Sequence, residues 1–539
     1  MRINRLNKDR LLLIASGILM GISFPPFPFP FQILMFIGLV PYFLVLERRE
    51  RLIDLNRASY LMGFFFSLIT LYWVGSWQKE ADTFLMISGG LLIFVEPVFF
   101  MIPTTLLYFS RDLFSKSKAI YLFPVFWITY EYLYMITDLS FPWLTLGSGL
   151  SPFNIFIQIA DITGALGISM VIIYINIFIT KAIQGRTLSP KGFRINLALA
   201  VGIFILIVSY GAYRLSTFKI SEKKVKVGLI QPNLDPWEKW SNTNLNDLIS
   251  NYLNLSRESV KEGAQVIFWP ETALPVYLRD GGYNYAVDSI YNFLDKNKVS
   301  LISGMPDLIY YKTGSKMPED VKYNKSGNYY YATYNSVLLF SPFVLNIERY
   351  GKSKLVPFGE RVPFVNALPF LRDFIKWSVG ISDWNVGEDT TVFSVPLVNK
   401  DTLKINSLVC YESIYPYYVT RFVNKGADLI SVVTNDSWYG NSSGPYQHKE
   451  IAVLRAVENR RTVIRAANGG ISCIIDPMGR ILTESKMYTR TEITGNVFIQ
   501  EDETFFSKYP LLLPVISSVL SLWVLGIFIL KKLKIRLGL

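Results

Sequence analysis

INSLVCYESIYP, Ile405 to Pro416, is an apolar run closed by a cysteine, with a carboxylate two residues beyond it. An apolar run of that length bounded by polar residues reads as a buried strand. A strand that stops at Cys410 and Glu412 delivers polar side chains to the end of a sheet, where α/β domains keep their chemistry. A cysteine nucleophile ordinarily gives its proton to a histidine, yet the 539 residues hold one histidine and two cysteines. If Cys410 reacts, another group must serve as its base.

The texture around this stretch repeats from about Val225 to Val497. VKVGLIQPN, AQVIFWPETALP, VSLISGMPD, NSVLLFSP, INSLVCYES, ADLISVVTNDSW, TVIRAANGGISCIIDPMG and GNVFIQ read as strands. NLNDLISNYLNLSRESVKEG, YAVDSIYNFLDKNK, PYYVTRFVNKG and QHKEIAVLRAVENRR read as the helices between them. Strand and helix alternating at this spacing predict one large α/β domain of roughly 270 residues.

Outside it the chain is apolar. Leu11–Phe24, Ile33–Leu46, Tyr60–Trp77, Phe84–Phe109, Ala119–Ile136, Thr163–Ile183, Ile195–Leu215 and Tyr509–Leu530 read as eight membrane-spanning helices, the first two short. The net charge of +12 comes from alternate connecting segments: these hold nineteen Lys and Arg, among them Arg48, Arg49, Arg111, Lys181 and Lys532, against five acids, a net +14 against −2 for the rest of the chain. Basicity so placed is a topology signal, not a nucleic-acid surface. It predicts both termini in the cytoplasm and the α/β domain on the opposite side. SFPPFPFPF after the first run lacks a small-residue cleavage site, so that run is expected to be a retained anchor.

Three strand ends carry groups capable of chemistry. Glu271 closes VIFWPE, Cys410 closes NSLVC, and Lys352 and Glu360 lie in ERYGKSKLVPFGERVPF. Singly, each has a plainer reading: a solvated loop charge for the glutamates and the lysine, a small core residue for the cysteine. Cys473 in ISCIID is expected in the core, and His448 in GPYQH is read as structural. Two cysteines could hold one disulfide. With one histidine they make a poor zinc set, and no metal or cofactor is expected.

Together, Glu271, Lys352 and Cys410, in this order and each in its own motif, resemble the Glu-Lys-Cys triad of the nitrilase superfamily of carbon–nitrogen hydrolases. With the membrane spans included, the whole chain is similar to the bacterial apolipoprotein N-acyltransferases. LVPFGE (Leu355–Glu360), CYE (Cys410–Glu412), NDSWYGNSSGPYQH (Asn435–His448), LRAVENRRTVIRAANGG (Leu454–Gly470) and FPWLTLG (Phe141–Gly147) carry the likeness. It departs in KSKL, where a second lysine, Lys354, stands in place of the histidine often found there, and at Tyr134, where arginine is expected.

The resemblance implies an αββα nitrilase-like domain (220–505) outside the membrane, joined to a transmembrane domain of seven helices (1–219) and a closing helix with a basic tail (506–539). It implies Glu271 as general base, Lys352 as stabiliser of thiolate and oxyanion together with the Tyr411 N–H, and Cys410 as nucleophile. Glu360 and Glu412 become supporting carboxylates, and Trp240 a substrate-contacting aromatic. A phospholipid acyl donor, a diacylglyceryl apolipoprotein acceptor and the bilayer become the partners of a monomeric, multi-pass protein of the bacterial inner membrane, its catalytic domain periplasmic. Two rival readings are a membrane-tethered amidase with water as acceptor, for which eight spans are excessive, and a non-catalytic lipid- or lipoprotein-binding protein, which predicts a broken triad.

Overall fold

The computed structural model describes residues 5–79, 81, 83–240, 244–364 and 384–537. They form two compact units. One comprises Ser76–Met86 and Lys219–Lys508; the other comprises the chain up to Gly75, Ile87–Phe218 and the chain from Tyr509 onward.

Among the described residues the first unit has thirteen strands: β1 (Lys224–Gln231), β2 (Val266–Trp269), β3 (Ser300–Tyr311), β4 (Lys322–Asn324), β5 (Tyr329–Ser341), β6 (Val344–Gly351), β7 (Phe393–Pro396), β8 (Thr402–Val409), β9 (Leu429–Thr434), β10 (Thr462–Ala467), β11 (Cys473–Ile475), β12 (Ile481–Glu484) and β13 (Thr491–Phe498). One sheet runs β13-β1-β2-β3-β5-β4, with β6 also paired to β5; the other runs β12-β11-β10-β9-β8-β7. β1, β2 and β3 are mutually parallel, as are β8, β9 and β10. Parallel strands are buried on both faces and read as continuous apolar runs, and VIFW of β2 and LISVVT of β9 are buried at every residue. β10 packs on β1 and β2, and β8 on β5. Helices Leu245–Lys261 and Asn284–Asn297 flank the first sheet, and Pro416–Val423 and Ser443–Asn459 the second. The result is an αββα sandwich.

Leu245–Lys261 shows why such helices form and what they hold. Asn244 caps it through the Asn246 N–H (3.0 Å), and Asp247 and Lys261 sit at the ends that suit their charges. Leu248, Ile249, Tyr252 and Leu255, at helical spacing, are buried against β2 and β3. Tyr252 stacks on Trp269 (4.6 Å), whose Nε1 donates to Ser256 Oγ (3.0 Å). That pair fixes the last residue of β2, two positions before Glu271.

The structure adds four strands absent from the sequence reading: β4, β6, β7 and β12. β6 matters most, because it turns the stretch before Lys352 from loop into strand. β8 ends at Val409, so Cys410 opens a tight turn, Cys410–Ile414, instead of closing the strand.

The second unit is helical. Among the described residues six helices are long and apolar enough to cross a membrane, from Leu52–Gly75 to Leu512–Leu533; Phe31–Leu46 is a shorter apolar helix and Arg5–Ile22 precedes it. Its buried carboxylates are partnered. Glu131 accepts from Trp127 Nε1 (3.0 Å), Leu146 N–H (2.9 Å) and Ser169 Oγ (3.2 Å), and Glu96 accepts from the Tyr134 hydroxyl (2.6 Å). Tyr134, standing where arginine was expected, thus hydrogen-bonds one oxygen of Glu96 without supplying a charge, and the other oxygen has no partner among the described residues. The basic segments meet one another: Asp9 binds Arg48 and Arg49 (3.2 and 2.8 Å), Lys116 binds Glu50, Lys181 binds Glu47, and Lys531 donates to Asp112 O (2.7 Å).

Candidate active site

Cys410 leaves β8 with φ +49°, a left-handed conformation that costs a non-glycine residue energy and needs its surroundings to hold it. Glu412 supplies much of that hold. One of its oxygens accepts from Val409 N–H (2.8 Å); the other accepts from Tyr350 OH (2.6 Å), Ser353 N–H (2.7 Å) and Lys354 N–H (3.1 Å). This buried carboxylate therefore ties the turn at Cys410 to the segment just beyond Lys352, and its lone pairs are spent on structure. From the other side, Ser413 Oγ donates to Cys410 O (2.9 Å), and His448 Nε2 lies 2.9 Å from Ser413 Oγ and 3.1 Å from Cys410 O.

Lys352 is 1% exposed and sits between two carboxylates. Its Nζ lies 2.8 and 2.7 Å from the two oxygens of Glu360 and 3.8 Å from Glu271 Oε1. Asn335, from β5, donates through Nδ2 to both Glu271 (2.8 Å) and Glu360 (3.0 Å), and the Asn435 N–H donates to Glu271 Oε2 (3.1 Å). The Val356 N–H completes Glu360 (2.9 Å). Lys354 is elsewhere, its Nζ 5.3 Å from the Tyr415 ring centroid, so of the two lysines in KSKL it is Lys352 that meets the carboxylates.

The electrostatics follow from burial and from these neighbours. Burial pushes Glu271 above the ordinary carboxylate value; Lys352 opposes this and Glu360 adds to it. Burial alone would lower the Lys352 ammonium, but Glu360 and Glu271 outweigh it and hold the lysine cationic. Cys410 is partly exposed, yet desolvation of its sulfur and the charge of Glu271 push the thiol well up, against the pull of Lys352. At rest Cys410 is a thiol, not a preformed thiolate.

Of the residues singled out in the sequence, Glu271, Lys352 and Glu360 are in direct contact, and Cys410 feels the charges of the first two. Tyr411 is buried, its ring 5.5 Å from that of Tyr415. Trp240 lies partly buried at the end of the turn that follows Asp235, where Trp237 packs edge-on against Trp438 (4.8 Å). Cys410 and Cys473 are both free thiols, and Cys473 is a core residue of β11.

Sequence reasoning missed a second cluster. Asp436, after β9, accepts from Arg465 of β10 and lies 2.9 Å from His448 Nδ1. Arg465 also donates to Ile471 O and comes within 3.0 Å of His448 Nδ1. Arg465 and His448 hold Asp436 far below the ordinary carboxylate range despite its burial, while burial and Arg465 lower His448. An arginine inside the buried run TVIRAA was the available signal. Cys410, Asp436 and His448 offer donors within 4.8 Å of one another. The guanidinium beside Asp436 and His448 already claims two of them and would repel a metal ion, so the donor set does not fit one. Asn335 was missed as well; a polar residue inside the apolar β5 could have announced it.

Residues 226–500 match the carbon–nitrogen hydrolase family, and residues 16–178 match the apolipoprotein N-acyltransferase N-terminal domain. The apolipoprotein N-acyltransferase of Chlorobaculum tepidum is 33% identical over 94% of this chain and 94% of its own. The chain belongs to the apolipoprotein N-acyltransferase family. The Geobacter metallireducens member is 31% identical over 93% of this chain and 92% of its own. The Rickettsia prowazekii member is also 31% identical, over 90% and 92%. Membership covers both units, so the helical region is as much part of the family pattern as the sandwich that carries Cys410.

Proposed function

We propose that the chain transfers an acyl group from a membrane phospholipid to the α-amino group of the S-diacylglyceryl cysteine that begins a maturing lipoprotein, through a thioester on Cys410. The observation that carries this reading is Lys352 held between Glu271 and Glu360 beside a strained, partly exposed cysteine in a chain of this family. In the first half-reaction the Cys410 thiol gives its proton to Glu271 while sulfur attacks the ester carbonyl. Lys352 and the Tyr411 N–H stabilise the oxyanion. The ester C–O bond then breaks, Glu271 returns the proton to the departing oxygen, and a lysophospholipid leaves. In the second half-reaction the lipoprotein amine attacks the thioester; Glu271 takes its proton and passes it to the sulfur as the amide forms.

Glu360 keeps Lys352 oriented and charged, and Glu412 positions Cys410 against it. Trp240 contacts the acyl substrates. The protein acts as a monomer in the bacterial inner membrane, with both termini cytoplasmic and the sandwich domain (220–505) on the outer side. The basic segments that pair with one another in the helical unit support that orientation, since cytoplasmic loops collect Lys and Arg.

Intact mass of the full-length protein in detergent, incubated with a defined phospholipid and no acceptor, tests this. A hydroxylamine-labile gain of one acyl chain is expected in the wild type and in Cys473→Ala, and is lost in Cys410→Ala. Folded protein that gains no adduct and releases no lysophospholipid, but hydrolyses soluble amides, would sink the acyltransferase reading in favour of a tethered amidase.

A further inference from the structure

Among the described residues of the sandwich domain, Lys239 is a buried cation whose ammonium has no hydrogen-bond partner. Lys352 has Glu360 and Glu271, Arg465 has Asp436 and Ile471 O, Lys449 has Glu484 (2.9 Å), and Lys354 faces Tyr415. Lys239 is 3% exposed, and among the described residues its Nζ meets no hydrogen-bond partner. A buried lysine without a partner is costly, and an anion arriving beside it would hold its proton on.

The turn carrying Lys239 is tied to the catalytic glutamate. The Leu234 N–H donates to Asn468 Oδ1 (3.1 Å), Asn468 Nδ2 donates to Leu234 O (2.7 Å) and Asn435 Oδ1 (3.2 Å), and the Asn435 N–H donates to Glu271. The Lys239 N–H in turn donates to Asp235 O (3.1 Å), and Trp237 braces the turn on Trp438. Glu271 is the charge that acts on the Lys239 ammonium, which burial lowers to about 7.

We propose that Lys239 is the counter-charge for the phosphate of the acyl donor, a subsite that reads the phosphodiester common to glycerophospholipids and not the headgroup beyond it. This rests on the N-acyltransferase reading. In such a lipid the phosphorus is five or six bonds of about 1.5 Å from the attacked carbonyl carbon, so when the carbonyl meets Cys410 the phosphate arrives within roughly 7 Å. There it meets Glu271 and Glu360, with Lys352 already committed between them. A second anion in that space needs a second cation, and Lys239 is unpaired among the described residues.

The test compares wild type, Lys239→Met and Lys239→Arg as full-length protein in detergent. It reads single-turnover acylation of Cys410 by intact mass from two donors, dipalmitoylphosphatidylglycerol and the phosphate-free ester p-nitrophenyl palmitate. In Lys239→Met the ratio of phospholipid to p-nitrophenyl rates is expected to fall about 10-fold or more, the effect of losing one charge-assisted hydrogen bond, and Lys239→Arg to recover most of it. Acylation from p-nitrophenyl palmitate also reports that the variant is folded. An unchanged ratio, including one in which both rates collapse together, refutes the subsite. An unchanged ratio with an effect of millimolar inorganic phosphate on wild type that Lys239→Met abolishes would make the occupant a free anion and overturn the donor assignment. Wild type that takes an acyl group from neither ester refutes the N-acyltransferase reading itself, and the subsite with it.

Discussion

Cys410 is held in a left-handed turn with its thiol pushed up by desolvation and by Glu271, so reactivity has to arrive together with deprotonation. Alkylation of the resting protein by iodoacetamide is therefore expected to be slow at pH 7 and to climb with pH through the ordinary thiol range without levelling, while Cys473 in the core stays unmodified; a plateau near neutrality would mean a preformed thiolate and contradict this environment. Catalysis should lose rate toward acid for a separate reason. As the proposed base, Glu271 must be unprotonated to act, and its raised pKa means that it is protonated at pH values where an ordinary carboxylate is still charged. The acylation rate is thus expected to fall with decreasing pH along a limb lying above the usual carboxylate range. Glu271→Gln should lower the rate by about 1000-fold or more at every pH. A pH–rate profile flat from neutrality down to the ordinary carboxylate range would assign the base elsewhere.

Elements bring these side chains together, and two close approaches show how little slack they have. A Cβ on Gly304 of β3 would lie 2.6 Å from Glu271 Cα and 2.8 Å from Pro270 O, so Gly304→Ala is expected to displace the proposed base and cost activity well beyond any loss of thermal stability. The cluster behind Cys410 has the reverse signature. Asp436→Asn strands the buried Arg465 guanidinium and is expected to cost about 3 kcal/mol, seen as a lowered unfolding midpoint in detergent. How much of this was legible depends on sequence distance. Glu271, Lys352, Glu360 and Cys410 each sit in a motif that a single stretch displays, and the parallel strands announce themselves as unbroken apolar runs. β6 does not: VLNIERYG is exposed over its first half, and only pairing with β5 makes it a strand. The Asp436–His448–Arg465 cluster joins positions 12 to 29 residues apart on three different elements, contacts that no periodicity encodes. For Glu412 the position was evident and the task was not, because four backbone and hydroxyl donors define it and none of them is visible in CYE.

At the scale of the whole molecule, a thioester mechanism has to connect two lipid substrates through one site. If Cys410 carries the acyl group as proposed, donor and acceptor occupy it in turn, the first product leaving before the second substrate reacts, so initial rates measured against donor at several acceptor concentrations should give parallel double-reciprocal lines. Intersecting lines would require both substrates bound at once and would exclude the acyl-enzyme as the committed intermediate. The charge pattern makes an independent demand on the same molecule. Nineteen Lys and Arg lie in alternate segments. Pairings such as Lys181 with Glu47 and Lys531 with Asp112 O join those segments in the helical unit. If that end is cytoplasmic, a cysteine introduced at Lys316 in the β3–β4 connection of a Cys410→Ala, Cys473→Ala background should react with a membrane-impermeant maleimide in intact spheroplasts. One introduced at Ser189, between Lys181 and Lys191, should react only after permeabilisation. The reverse pattern would place the sandwich domain in the cytoplasm and overturn the proposed orientation.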